Sequence, residues 1–294
     1  MQHRFSTAER TLLDSANARV FFDGVFTRPK LNHPEGVAIG PDGRIWAGTD
    51  AGDIFRISPD GQDHEVAHQL GGFALGLAFD GSRALFVCDL ERACVLRVDL
   101  ATGTVAQWSH PALRIPNFPV VDRASGQLFV SDSHDPVRAG PGIFAFDLET
   151  GDSTLWLDAP LQFANGLAMR EDERAVYVAE TFARRVSRVA INDDGTAGPP
   201  EPFATDLDGL PDGLAFDAVG NLVVGCYEPS RLLRIPAQGG TGEVLIEDAT
   251  AHVLCHPTNI AFAGDRLFAA NLGRWHITAI DMDIGAPALW EFDQ

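Results

Sequence analysis

Asn165-Gly166-Leu167-Ala168-Met169 is a phrase of one polar residue, a glycine, an apolar residue, an alanine and a second apolar residue, and the chain repeats it. Working outward, Asp212-Gly213-Leu214-Ala215-Phe216 and Glu35-Gly36-Val37-Ala38-Ile39 are full copies. Leu75-Gly76-Leu77-Ala78-Phe79 keeps the frame with an apolar head. Asn117-Phe118-Pro119-Val120-Val121 and Asn259-Ile260-Ala261-Phe262 are looser copies. Successive heads lie 40, 42, 48, 47 and 47 residues apart. That is the period of a propeller blade, not of a helical solenoid.

Each copy continues in one order: a short apolar strand, a turn, a second strand, a polar loop and a third strand. In the first copy the turn is Pro41-Asp42-Gly43, followed by strands at Arg44 to Gly48 and Asp53 to Ile57. Short β-rich runs between Gly, Asp and Pro turns are the all-β signal. Weaker segments, Thr104 to Ser109, Ser153 to Leu157 and Gly242 to Ile246, supply an outermost strand. The expectation is an all-β fold: a six-bladed β-propeller with four-stranded antiparallel blades around a central channel, one domain over 17–294 after an extension at 1–16. Either Arg19 to Phe22 or Leu289 to Phe292 completes the last blade. The first strand of each blade faces the channel, where backbones crowd and glycine fits. The head residues then ring its mouth.

A formal charge of −19 and a pI near 4.7 argue against nucleic acid and anionic membrane, which need clustered Lys and Arg. Lys30 is the only lysine, which disfavours Schiff-base chemistry. Four cysteines without CxxC spacing, Cys88, Cys94, Cys226 and Cys255, read as buried thiols in a reducing compartment. No apolar stretch near the N-terminus suits a signal peptide or a span. The expectation is a cytoplasmic protein, monomer or homodimer, acting on a small molecule.

The polar heads Glu35, Asn117, Asn165, Asp212 and Asn259 would bring two carboxylates and several amides to one point. Such a set offers only oxygen, which suits Ca²⁺, Mg²⁺ or Mn²⁺ better than zinc. Asn and Asp also cap turns at strand starts, so spacing alone leaves both readings open.

The phrases His33-Pro34-Glu35-Gly36, Pro116-Asn117, Ala164-Asn165-Gly166-Leu167-Ala168 and Pro211-Asp212-Gly213-Leu214-Ala215 resemble the SMP-30/gluconolactonase family of six-bladed propellers, over about residues 33–281. Gly40 to Ile57 and Val178-Ala179-Glu180-Thr181 are equally similar to the strictosidine synthase-like branch. The resemblance implies one divalent ion, Ca²⁺ first, with Mg²⁺, Mn²⁺, Zn²⁺ or Fe²⁺ as alternatives. Glu35, Asn165 and Asp212 match the family's recurring ligands, and Asn117 a position that is a ligand in some members and a substrate contact in others. Strictosidine synthase works without a metal, so the complete set favours the hydrolytic branch.

The implied activity is hydrolysis of lactones or related esters, extending to phosphotriesters, with Asp212 activating water or, as the second choice, attacking directly. Arg114, Phe118, Glu180, Tyr227, His256 and Asn259 are the candidate substrate contacts. One departure stands out: Arg114-Ile115-Pro116-Asn117-Phe118 shifts the family's arginine by one position and replaces an acidic neighbour by Phe118. That weakens any reading of a sugar acid as substrate. The alternatives are a noncatalytic propeller with a structural ion and a biosynthetic enzyme on the same scaffold. Asp50, Asp89, Asp132, His134 and Asn271 also end second strands near the mouth, where strand termination alone accounts for such residues. Trp46, Phe118 and Phe182 could form an apolar wall, although blades bury aromatics routinely.

Two motifs are decoys. His64-Glu65-Val66-Ala67-His68 matches a helical zinc-protease pattern, but it falls on an outer strand, where residues four apart are roughly 13 Å apart. Gly140-Pro141-Gly142 opens a string like a dinucleotide loop, without the surrounding strand and helix.

Overall fold

The computed structural model describes residues 5, 7, 8 and 10–287. Six four-stranded antiparallel sheets form, five of them with their strands in sequence order from the channel outward. Blade 1 comprises Val37–Ile39, Ile45–Gly48, Asp53–Ile57 and His64–Gln69; blade 2 comprises Ala74–Asp80, Ala84–Asp89, Cys94–Asp99 and Val105–Trp108. Blade 3 holds Pro116–Asp122, Gln127–Asp132, Gly140–Asp147 and Ser153–Leu161, and blade 4 holds Ala164–Arg170, Ala175–Glu180, Arg185–Ala190 and Glu201–Ala204. Blade 5 is Pro211–Phe216, Leu222–Cys226, Arg231–Ile235 and Glu243–Glu247. Blade 6 takes Pro257–Ala263, Arg266–Asn271 and His276–Asp281 from the end of the chain and its outer strand, Ala18–Asp23, from the beginning.

That last pairing closes the ring. Ala18 lies opposite Ile280 and Asp23 opposite His276, with Arg19 paired to Asp281 at 2.8 Å. The other candidate for closing the blade, 289–292, lies outside the described residues. The segment ahead of the closing strand is also docked. Leu12 and Leu13 donate their N–H groups to Val244 and Leu245 at 3.0 and 2.8 Å, and Leu13 is buried between blades 5 and 6. A boundary at residue 16 therefore cuts through packed structure.

The core is a ring of six apolar clusters, each between two neighbouring blades. Residues such as Phe55, Phe86, Phe129, Phe144 and Tyr177 are almost wholly buried there, each worth about 2–3 kcal/mol in area removed from water. Trp46 packs between blades 1 and 2, away from the mouth. His64–Gln69 is an outer strand, so its two histidines cannot share a metal ion.

The phrase glycines are needed where inner strands converge. A Cβ on Gly36 would sit 2.2 Å from the carbonyl oxygen of Leu75, one on Gly166 2.3 Å from that of Asp212, and one on Gly213 2.6 Å from the Cα of Asn259. Each glycine thus admits the backbone of the next blade.

Strand register corrects one head. Leu167 pairs with Val178 and Ala164 with Glu180; in blade 6, Ile260 pairs with Ala269 and Pro257 with Asn271. The equivalent of Asn165 is therefore Thr258, and Asn259 occupies the glycine position. The frame in blade 6 is Thr258-Asn259-Ile260-Ala261-Phe262, with Asn where blades 1, 2, 4 and 5 have Gly and blade 3 has Phe118.

Candidate metal centre

The inner strands bring Glu35, Leu75, Asn117, Asn165, Asp212 and Thr258 to one end of the channel, and all six are buried. Asp212 sits between two amides: Asn165 Nδ2 donates to Oδ2 at 3.1 Å and Asn259 Nδ2 to Oδ1 at 3.4 Å. Asn259 thus joins the site from the glycine position of its blade.

Two hydroxyls hold the remaining amides in a repeated device. Asn117 Nδ2 donates to Ser133 Oγ at 3.1 Å, and Ser133 donates onward to the carbonyl of Ala164 in the next blade at 2.7 Å. One blade on, Asn165 Nδ2 donates to Thr181 Oγ1 at 3.2 Å, and Thr181 donates to the carbonyl of Pro211 at 2.8 Å. At the closing junction Thr258 Oγ1 donates to the Glu35 carbonyl at 2.8 Å. With the nitrogens committed, the amide oxygens of Asn117, Asn165 and Asn259 are buried without any hydrogen-bond partner. A buried oxygen left in that state is costly.

The two carboxylates are buried beside them. Burial, followed by repulsion from Asp212, pushes the Glu35 carboxyl well above its usual range. Burial pushes Asp212 up to about 7, against the lowering effect of the Asn165 and Asn259 amides. Two buried carboxylates and three orphaned amide oxygens form an oxygen-only donor set, and a divalent cation would satisfy all of them at once. Among the described residues no three His, Cys, Asp or Glu side chains converge as a metal cluster, here or elsewhere.

Above the heads lie two further tiers. The residue after the second strand is Leu90, Ser133, Thr181, Tyr227 or Leu272 in blades 2 to 6, and strand register makes Asp50, two residues past the strand end, its counterpart in blade 1. From blade 2 to blade 6 its N–H donates to a rim residue, Phe73, Ile115, Phe163, Leu210 or His256, at 3.0–3.2 Å. In blade 1 the same bond runs from Asp50 to Asn32 at 3.3 Å, and His33 Nδ1 lies 2.7 Å from the Asp50 carboxylate. Tyr227 is therefore the blade 5 counterpart of Ser133 and Thr181. Burial, then the charges of Glu35, Glu228 and Asp212, raise its hydroxyl pKa. His256 stacks on Tyr227 with ring centroids 4.7 Å apart, and its Nδ1 lies 2.9 Å from the Tyr227 carbonyl and 3.3 Å from Glu228.

Three of the six sequence candidates for substrate contact thus meet at the mouth: Tyr227, His256 and Asn259. Arg114 is exposed on the same face, its N–H donating to Asp132 at 3.2 Å and its guanidinium without an ion-pair partner among the described residues. The other two are engaged elsewhere. Glu180 is fully buried, and its oxygens accept from Arg185, Ser187 and the Gln162 N–H. Phe118 packs in the cluster between blades 3 and 4, because it occupies a glycine position beside Gly76. Asp89, Asp132 and Asn271 likewise spend their oxygens on local N–H groups. Ser133 escaped sequence reasoning; the signal was its place one residue after the second strand, shared with Thr181.

A family model described as the SMP-30/gluconolactonase/LRE-like region matches residues 76–270. The chain belongs to this family. A strictosidine synthase-like N-terminal model matches residues 27–57 of this SMP-30/gluconolactonase chain. It is 32% identical to lactonase drp35 of Staphylococcus aureus over 238 residues, 73% of this chain and 69% of that one. It is 26% identical to adipocyte plasma membrane-associated protein of Salmo salar over 192 residues, 65% of this chain but only 40% of that protein's length. In fold it resembles a gluconolactonase from Xanthomonas campestris, with a TM-score of 0.74 at 20% identity, over 94% of this chain and 96% of the other. Among the described residues no helix is long and apolar enough to cross a membrane.

Proposed function

We propose that this SMP-30/gluconolactonase family member is a divalent-cation-dependent hydrolase of lactones or related esters. The observation that carries the reading is the trio of buried, unpartnered amide oxygens, Asn117, Asn165 and Asn259, beside the buried carboxylates Glu35 and Asp212. Glu35, Asp212, Asn117 and Asn165 would hold the ion, with the Asn259 oxygen close by. Ca²⁺ is the first choice because every donor is a hard oxygen. When bound, such a cation polarises a carbonyl and acidifies a water molecule.

The chain's own groups do the rest. Asp212 accepts a proton from the attacking water as the new C–O bond forms, and the amides of Asn165 and Asn259 fix its two oxygens for that task. The ring C–O bond then breaks, and the departing alkoxide takes a proton to give the hydroxy acid. Tyr227, held protonated by burial and nearby carboxylates, is placed to donate a hydrogen bond to the developing oxyanion. Its ring is braced by His256. Arg114 offers a cation to the carboxylate product. The four cysteines are buried free thiols, which supports a cytoplasmic setting.

A pH-indicator assay over γ- and δ-lactones, simple esters and a phosphotriester tests the reading, with chelated protein and an Asp212→Asn variant alongside. Turnover of lactones that disappears on chelation, returns with Ca²⁺ and falls at least 100-fold, an order-of-magnitude expectation, in Asp212→Asn is the expected result. Full turnover after verified removal of the ion would sink cation dependence. Failure with every substrate would favour a noncatalytic binding propeller.

A further inference from the structure

We infer that the mouth is shaped for a lactone or ester bearing an apolar substituent, which lies along blades 2 to 4 while the carbonyl lies over Asp212 and Glu35. This rests on the hydrolase reading above and deepens it.

The three tiers differ sharply around the ring. Blade 1 is polar at each level, with Glu35, Asp50 and His33. Blade 2 is apolar at each level: Leu75 at the head, Leu90 above it and Phe73 at the rim, all three packed on the cluster between blades 2 and 3. The apolar rim continues through Ile115 to Phe163, whose ring lies 4.9 Å from that of Phe182. Phe182 follows Thr181 directly and is 47% exposed.

The Phe163 backbone has φ of +61°, a conformation that a bulky side chain disfavours. The Thr181 N–H, bonded to the Phe163 carbonyl at 3.2 Å, holds it there. The same Thr181 orients the Asn165 amide, so the aromatic pair and the cation cradle are fixed to one residue. In a six-membered ring blade 2 stands across from blade 5. An apolar tail reaching Leu75 therefore places its carbonyl at Asp212 and Tyr227.

The carboxylates of this wall are already engaged, and the exposed Arg114 stands beside Ile115 at its edge. Asp89 is paired with Arg92, Glu180 with Arg185, and Asp132 accepts backbone N–H groups. A polyhydroxylated lactone would bury its hydroxyls against carbon here, without partners, and such a mismatch is heavily discriminated against. An alkyl or aryl chain instead gains roughly fourfold in affinity for each methylene removed from water.

The test is a series with one reacting ring, γ-butyrolactone, γ-hexalactone and γ-decalactone, set beside glucono-δ-lactone. We expect kcat/KM to rise with chain length, by about tenfold or more from γ-butyrolactone to γ-decalactone, with glucono-δ-lactone the poorest substrate. Phe182→Ala, on an exposed side chain, should shrink the decalactone-to-butyrolactone ratio by at least about threefold, and Leu75→Asn should flatten it further. Equal rates along the series, or preference for glucono-δ-lactone, would overturn the apolar wall while leaving the hydrolase reading intact. If no lactone turns over, that reading fails, and calorimetry with 4-hydroxydecanoate and gluconate still decides the wall. Binding of the first alone, weakened in Phe182→Ala, supports it; equal binding or none overturns it.

Discussion

Thr181 has a hydroxyl with two obligations: it accepts from the Asn165 amide and donates to the Pro211 carbonyl in the next blade. Removing it leaves a buried N–H and a buried C=O unmet, which costs about 1–3 kcal/mol for each group that water cannot reach. Thr181→Val, nearly isosteric, should therefore lower the melting temperature. It should also weaken Ca²⁺ binding, because the Asn165 amide then keeps only its bond to Asp212 and turns its oxygen away more readily. Calorimetric titration of Ca²⁺ into Thr181→Val and Thr181→Ser checks this: Ser should restore both affinity and stability. A Val variant that binds Ca²⁺ as tightly as wild type would show that the hydroxyl does not orient the ligand. Ser133 makes the same pair of bonds for Asn117, so the two positions can be compared directly.

At the scale of the element, the inner strand is where sequence and packing agree most closely. Gly213 faces the Asn259 Cα and the Thr258 carbonyl at 2.6 and 2.7 Å from a notional Cβ, and both are backbone atoms with no rotamer to yield. Gly213→Ala should push blades 5 and 6 apart at the mouth and lower stability by about 1–3 kcal/mol, read by urea unfolding. An unchanged midpoint would show that the junction is looser than these distances. This crowding also explains what was legible in the chain. Glycine can be read because its absence of a side chain is dictated locally, and four of the six blades declare it. Blade 6 fills that position with Asn259, so its phrase reads one residue late, and only strand pairing restores Thr258 as the head. Glu35, Asn165 and Asp212 were legible for the same reason, each preceding one of those glycines, while Asn117, followed by Phe118, was legible by its spacing from the other heads. Glu180 was not, because its partner Arg185 lies on the neighbouring strand and a one-residue change of pairing would turn it to the other face. The hydroxyl of Ser133 acts across a blade boundary, and no local pattern encodes that.

At the scale of the whole molecule, the closing strand Ala18–Asp23 connects the start of the chain to its end. It supplies the outer edge of blade 6 and buries Phe22 in the cluster shared with blade 1. Deleting residues 1–23 removes one of the twenty-four strands among the described residues, yet it opens a blade built from both ends of the chain. The expected outcome is loss of cooperative thermal unfolding; a truncated chain that melts sharply within about 2 °C of the full one, a shift of roughly 1 kcal/mol, would show that the latch is dispensable.

The bonds between neighbouring heads carry a further consequence. Asn117 is oriented through Ser133, which is anchored to blade 4; Asn165 through Thr181, anchored to blade 5; and Glu35 by Thr258, across the very seam that the closing strand seals. No blade owns a complete cradle. If the proposed ion binds there, its affinity would be a property of the circle and not of any arc of it, so occupancy of the channel would report that the protein has finished folding.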